Sequence, residues 1–416
     1  MIRPISRCVS LREGDGMTES ALAGIRVLDL GWGVTAPHCA KMFADYGADV
    51  IKVEPPEGDP ARRYGPFPGD VPHSEKSGLF LHLNTNKRGI TLNFGTSSGA
   101  ALLRKLVAWA DVAIENFSPG YLASLGLSYQ ELREINPRLV LTSITPFGQW
   151  GPYRDWQATE MTVFAMTSRL YPHGQPDREP QRYAPDVASF QIGVTAATAT
   201  MGALWAAQTT GRGEWIDLSM QEAMIANVDA RTVLSSYAGR SLTRQDRVAG
   251  GGYPSGVYPC QDGFFLFAAG GDRYFRRLCH AIGREDMLAD PRWATPAARL
   301  PYKDEFDAQF LPWLLDRDRA EVFRVCQAEG VMCAPILTID EAFQDPQLAF
   351  RHYFQELSHP VAGTWPFPGP PFRMAETPWE VRRPAPLLGE HNEQIYTEIL
   401  GYSAQDLIRL RSMGVI

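Results

Sequence analysis

Short runs of aliphatic and β-branched residues recur through the first half of the chain, each closed by Gly, Pro or a polar turn. Ile25–Leu30 (IRVLDL), Ala48–Glu54 (ADVIKVE), Ile90–Asn93, Asp111–Glu115 (DVAIE) and Leu139–Ile144 (LVLTSI) have the length and composition of buried strands. Ala36–Tyr46 and Ser98–Trp109 have helical spacing and lie between them. Alternation of this kind predicts an α/β fold, a Rossmann-like doubly wound domain on a parallel sheet. Residues 55–85 are rich in Pro, Gly and charge and read as one long loop.

The pattern changes at Ala184. From there to Leu218 the chain reads as a long helix of Ala, Thr and Gly, a Thr210-Gly211-Arg212-Gly213 corner and a short strand. A helix apolar on nearly every turn but built from small residues packs close to its neighbours. Its N-terminus carries unpaired N–H groups and positive dipole, which favour negative charge. Asp186 and Ser189 compete for that place. Pro185-Asp186 also has the form of a helix entry in which the Asp caps free N–H groups.

Past Met220 a helix is expected to about Tyr237. Residues 256–269 carry Gln261-Asp262-Gly263 between apolar runs, the signal of a hairpin. Helical spacing dominates from Arg273 to Gly330, and 331–337 reads as a connector. Prolines confine 363–376 to edge strands or extended arms. Two amphipathic helices, near 389–400 and 403–413, end the chain. The expected organisation is an extension over 1–21 without fixed structure, a large Rossmann-like domain over 22–225, a linker and small α+β domain over 226–335, and a final segment over 336–416. Met17 is an alternative start.

Composition narrows the classes. The 416 residues suit two or three domains. The net charge of −7 argues against a nucleic-acid partner, which calls for a basic face. The six cysteines form no CxxC pair and no metal spacing, as expected of free thiols in a cytoplasmic protein. The most apolar stretch, 192–207, is interrupted by threonines and falls short of the ~18 residues of a membrane span, so it reads as a core helix. The first 20 residues have no apolar core of a secretory signal.

Gly31-Trp32-Gly33-Val34-Thr35-Ala36 follows a strand and opens a helix, with Glu54 closing the next strand. This spacing is that of a dinucleotide site and would make the chain a nucleotide-binding oxidoreductase. Pro55-Pro56 follows the acidic residue directly, and a tight βα turn explains the glycines equally.

Several motifs in order identify a closer likeness. They are Gly24-Ile25-Arg26-Val27-Leu28-Asp29, Ala44 to Glu54 (ADYGADVIKVE), Asn86-Lys87-Arg88, Glu115-Asn116-Phe117-Ser118-Pro119-Gly120, Asn136-Pro137-Arg138, Phe147 to Tyr153 (FGQWGPY), Thr210 to Gly213, and Pro386 to Asn392 (PLLGEHN). Carrying them, the chain resembles the class III CoA-transferases and related α-methylacyl-CoA racemases from about Leu22 to Ile416. The resemblance implies two chains interlocked as a dimer, with the final segment of each returning to its large domain. It implies transfer of CoA between a thioester and a free carboxylate through an aspartyl-CoA intermediate. CoA and acyl-CoA are then substrates, with no tightly bound cofactor and no metal. Val34, Thr35, Ala36, Arg62, Lys87, Arg88, Leu92, Asn116 and Phe117 fall where such proteins bind CoA. Gly250, Gly251 and Gly252 fall at the glycine loop that shields reactive intermediates.

The nucleophile of that family lies in Ala-Asp-x-x-x-Gly ahead of Thr-Gly-Arg-Gly. Counting back without gaps puts its Gly at Gly193 and its Asp at Ser189. Glu160 matches an upstream acidic residue. Asp186 takes the nucleophile's place only with a three-residue shift, ~4.5–5 Å along a helix. Basic residues common in the family are missing at Pro55, Phe94, Gly95 and Ser124, and each absence removes a phosphate contact. Thr159 stands where the racemases carry His. The sequence therefore favours the catalytically degenerate partner in a two-subunit transferase, bound to a homologous subunit. An active homodimer using Asp186 is the alternative. Succinyl-CoA and an aromatic or dicarboxylic acid are the expected substrates by analogy.

Overall fold

The computed structural model describes residues 20–226, 231–244 and 252–416. The extension expected over 1–21 lies almost wholly outside them. The chain forms two compact units. One takes in the chain up to Arg169, Arg182–Tyr237 and Tyr353–Ile416; the other takes in Leu170–Gln181 and Ala238–His352.

In the first unit, β1 (Arg26–Asp29), α1 (Thr35–Asp45), β2 (Asp49–Glu54), α2 (Gly78–Leu83), β3 (Arg88–Thr91), α3 (Ser97–Trp109) and β4 (Val112–Glu115) follow in order. After them come α4 (Tyr121–Ser124), α5 (Tyr129–Ile135), β5 (Val140–Thr145), α6 (Glu160–Met166), α7 (Val187–Thr210) and β6 (Trp215–Ser219). The six strands form one parallel sheet in the order β3-β2-β1-β4-β5-β6. These strands read as near-continuous apolar runs because helices cover both faces of the sheet. Leu28, Ile51, Ile90 and Ala113 pack with Leu102, Leu103 and Leu106 of α3, all at most 2% exposed. Each such leucine contributes roughly 1.5–3 kcal/mol by leaving water. The order reverses between β1 and β4, which opens a crevice at their carboxyl ends.

The long loop expected over 55–85 holds a helix. Ser77 accepts from the Phe80 N–H and starts α2, whose Phe80, Leu81 and Leu83 are buried. The small-residue helix is 24 residues long. It corrects the expectation that no segment reaches membrane-spanning length: α7 is long and apolar enough by length and composition. It is only half-buried: one face packs into the unit, while Val194, Met201 and Trp205 are exposed, which corrects the expectation of a core helix. Thr200 donates to the Ala196 carbonyl and meets the Thr142 hydroxyl on β5 at 2.7 Å, a buried contact that needs small residues around it.

Two glycines set the path of α7. A Cβ at Gly213 would lie 1.9 Å from the Leu139 carbonyl oxygen, so only glycine lets the chain turn from α7 into β6 beside β5. A Cβ at Gly193 would meet His38 Nδ1 at 2.8 Å and the Thr35 carbonyl at 3.0 Å, so glycine also allows α7 to cross α1 closely.

The expected hairpin is β7 (Ser255–Cys260) and β8 (Gly263–Ala268), antiparallel, in the second unit. The 331–337 stretch read as a connector supplies its third strand, β9 (Cys333–Pro335). Tyr258, Phe265, Phe267, Phe275, Phe306 and Phe310 fill that unit's core. Back in the first unit, β10 (Phe354–His359) and β11 (Gly363–Pro368) pair as a hairpin. The chain's end then closes on β3. Asn392 accepts from the Thr91 N–H, and the Asn93 N–H donates to the Val415 carbonyl at 2.7 Å.

Candidate active site

Asp186 occupies the residue before α7 with φ +64°, and its side chain makes no capping bond. This corrects the reading of Asp186 as a helix cap. A non-glycine residue in the left-handed region is uncommon and carries strain. The carboxylate instead borders a cavity of about 480 Å³ walled by Phe67, Leu79, His82, Trp365 and Phe367.

Ser189 lies in the first turn of α7 and is 6% exposed. Its Oγ donates to Glu160 Oε2 at 3.1 Å, and the Ala188 N–H donates to Glu160 Oε1 at 3.0 Å. Glu160 opens α6 after Thr159, which caps that helix. One carboxylate thus satisfies a free N–H of α7 and fixes the serine hydroxyl. A serine nucleophile needs a general base beside it, as an imidazole serves elsewhere; here its partner is a carboxylate that orients the hydroxyl.

His38, which the sequence offers only as a structural or surface residue, approaches this turn. His38 Nδ1 donates to the Phe190 carbonyl at 3.0 Å across 152 residues. Burial, with lesser contributions from Lys41 and Lys87, lowers its pKa to about 4, so the ring is neutral near pH 7. Its ring packs edge-on to Phe190 at 4.7 Å.

The residues assigned to CoA binding divide into two groups. Around the β1–β4 crevice, Asn116 accepts from the Trp32 N–H at 2.9 Å and donates to the Trp32 carbonyl and to Thr35 Oγ1. Phe117 packs edge-on to Trp32 at 5.2 Å. Thr35 and Ala36 are buried at the start of α1, and Val34 just before them is partly exposed. Leu92 is fully buried in the sheet core.

The basic residues are committed elsewhere. Lys87 is fully buried, with Nζ 2.8 Å from Asp29 Oδ2, 2.7 Å from the Pro37 carbonyl and 2.9 Å from Asn84 Oδ1. Burial pulls its pKa down to about 8, against the attraction of Asp29. Arg62, 2% exposed, grips Glu54 through Nε at 2.6 Å and Nη2 at 2.8 Å, and Glu75 through Nη1 at 2.7 Å. Arg88 holds Asp49 with two bonds. All three of these cations are thus spent on carboxylates of the chain itself.

The same contacts correct the oxidoreductase alternative. Glu54, the residue that would hold a ribose, is fully buried on Arg62 and the Asp59 N–H. A residue the sequence reading passed over organises the turn. Asp59 accepts from Gly33 and Ala61 N–H and receives Lys52 Nζ at 2.7 Å, while Lys52 also reaches the Gly31 carbonyl.

Gly250 and Gly251 lie outside the described residues. Gly252 has φ +85°, and a Cβ there would meet Pro296 at 2.9 Å. Among the described residues, no group of three or more His, Cys, Asp or Glu could hold a metal.

The parallel sheet, the crevice at its order reversal and the acidic contact at the head of α7 define an α/β protein with a candidate site at one end of a long, half-buried helix. The chain belongs to CoA-transferase family III, whose sequence profile matches residues 22–392. It is 37% identical over 384 residues to a succinate–glutarate CoA-transferase of Agrobacterium fabrum, covering 91% of this chain and 95% of that one. It is 33% identical over 403 residues to subunit BbsE of the succinyl-CoA:(R)-benzylsuccinate CoA-transferase of Thauera aromatica, covering 94% and 97%. A CaiB/BaiF family protein from Brucella suis has the same fold, with TM-score 0.82, 32% identity and coverage of 92% and 100%.

Proposed function

We propose that this chain is the catalytically degenerate subunit of a two-subunit acyl-CoA:carboxylate CoA-transferase. The carrying observation is that Ser189, at the family's nucleophile position, has its hydroxyl bound to Glu160 Oε2 at 3.1 Å. A hydroxyl so held cannot form the mixed anhydride and enzyme thioester that an aspartate forms. The engagement of Arg62, Lys87 and Arg88 with internal carboxylates supports the same reading, because it leaves those cations unavailable to CoA phosphates. The relative BbsE, named as a subunit, adds support by analogy.

On this reading the partner is a homologous subunit with an intact Ala-Asp motif, the two chains interlock, and the pair works in the cytoplasm. This chain completes the dimer with its large and small domains. The donor is succinyl-CoA and the acceptor an aromatic or dicarboxylic acid.

A second reading, an active homodimer using Asp186, is favoured by that residue's uncapped carboxylate and its place at the cavity rim. Trapping separates the two. The chain alone is incubated with an acyl-CoA and hydroxylamine or borohydride, then mapped by mass spectrometry. No modification at Asp186 is expected, together with co-purification of a second family member. A hydroxamate or reduced product at Asp186 overturns the degenerate-subunit reading.

A further inference from the structure

The cavity beside Asp186 differs from the rest of the site in chemistry. Its volume of about 480 Å³ lies within the range of pockets that enclose a small-molecule ligand. Phe67, from the loop ahead of α2, and Trp365 and Phe367, from β11, give it three aromatic walls, and Leu79 of α2 adds a fourth apolar one. The charged side chains on its lining are Lys76 and Asp186. His82 adds no third charge. Burial lowers its pKa to about 3 and leaves it a neutral ring. That ring lies parallel to Phe367, 6.5 Å away at 7°, and tilted to Phe190, 5.9 Å away. Phe190 follows Ser189 in α7, so the aromatic layer runs from the cavity wall to the turn that carries the site.

We propose that this cavity seats the ring of an aryl-bearing carboxylic acid, or of its CoA thioester. This names the substrate class of the site and rests on its reading as a CoA-transferase site. Flat apolar walls reward an aromatic ring through burial and edge or offset contacts. An ionised group deep in the same walls would lose its water without a partner, except at the single cation, Lys76. A short aliphatic dicarboxylic acid therefore gains little there, because it brings charge and almost no apolar surface.

The test is equilibrium binding to the full chain by calorimetry, with 3-phenylpropionate, glutarate and free CoA as probes. 3-Phenylpropionate is expected to bind saturably and at least tenfold tighter than glutarate. Leu79→Trp, which fills the cavity from α2, is expected to weaken it at least tenfold while circular dichroism shows a folded protein. Trp365→Ala gives a second measurement from the opposite wall. Glutarate binding as tightly as 3-phenylpropionate, or a folded Leu79→Trp variant with unchanged affinity, overturns the proposal. Binding of 3-phenylpropionate, with CoA bound by neither the chain nor its two-subunit complex, would sustain the aryl seat and overturn the transferase reading. CoA binding without 3-phenylpropionate would overturn the aryl seat alone.

Discussion

Ser189 and Glu160 meet at 3.1 Å, and the same carboxylate takes the N–H of Ala188. The pair ties the head of α7 to the head of α6 across 29 positions of sequence. Each of its bonds joins a donor at a helix start to a carboxylate, the arrangement that a helix dipole favours. The serine is therefore a strut for the turn that carries Asp186.

Ser189→Ala follows from this. Loss of one buried bond, with Glu160 still holding the Ala188 N–H, is expected to cost about 1 kcal/mol. If the chain works as proposed, in a two-subunit transferase, turnover of the reconstituted pair should stay within about twofold, since a strut without chemical contact carries little of the barrier. Urea melts and kcat/KM of the reconstituted pair check both. A fall of two or more orders of magnitude in kcat would make Ser189 a chemical participant.

Gly193→Ala sets helix propensity against packing. Alanine is favoured over glycine in a helix by roughly 1 kcal/mol. The added Cβ would lie 2.8 Å from His38 Nδ1 and 2.9 Å from His38 Cβ. Such overpacking costs about 1–3 kcal/mol, so the variant should be destabilised on balance. The expected readings are a Tm lower by a few degrees and loss of the His38–Phe190 bond, visible as a further fall in the His38 pKa by NMR, since that bond is what holds the pKa up against burial.

Lys87→Met tests whether that lysine serves the fold or a phosphate. Its removal leaves Asp29 fully buried with Lys52, at 3.8 Å, as its remaining ion-pair partner among the described residues. Breaking a buried pair from one side costs about 3–5 kcal/mol. The expected outcome is a large drop in the urea midpoint, with the affinity of the remaining folded protein for CoA unchanged. Weakened CoA affinity at unchanged stability would return Lys87 to the binding site.

Glu115 gives a pH dependence. Burial raises its pKa from 4.5 to about 7, against bonds from Ser143 and the Phe117 N–H. The folded state therefore binds more protons than the unfolded state between these values. This group's stability contribution is fully present below about pH 4.5 and declines as pH rises through 7, by on the order of 3 kcal/mol. Glu115→Gln, neutral at every pH, should remove that decline. Urea midpoints at pH 5 and pH 8 for both proteins check it: the variant should be the more stable at pH 8.

The strands and most of the large helices were legible because the sheet is covered on both sides, which forces apolar runs, and because Gly and Pro mark their ends. What escaped was short. Six-residue α2 hides among prolines and glycines with only Ser77 to announce it, and β9 has three residues. At the site, the family resemblance assigns the nucleophile's position by counting from Gly193 and Thr210–Gly213, and the structure gives Gly193 and Gly213 steric reasons to be there. The roles of Arg62, Lys87 and Arg88 were not legible, since sequence displays a charge but not its partner. Their carboxylates lie 8, 58 and 39 residues away. The contact of His38 with Phe190, 152 residues away, was not legible for the same reason.

The return of the C-terminus to β3 bears on how the protein is made. β3 is an edge of the parallel sheet, yet its Thr91 N–H and Tyr396-bound carbonyl are completed by residues synthesised some 300 positions later. Tyr396 and Ile416 belong to the same core as Leu28 and Ile90. A growing chain therefore holds this sheet with an open edge and an unfilled core until residues 391–416 have emerged. The segment 391–416 completes the first unit, and a chain lacking it would present that edge to its neighbours.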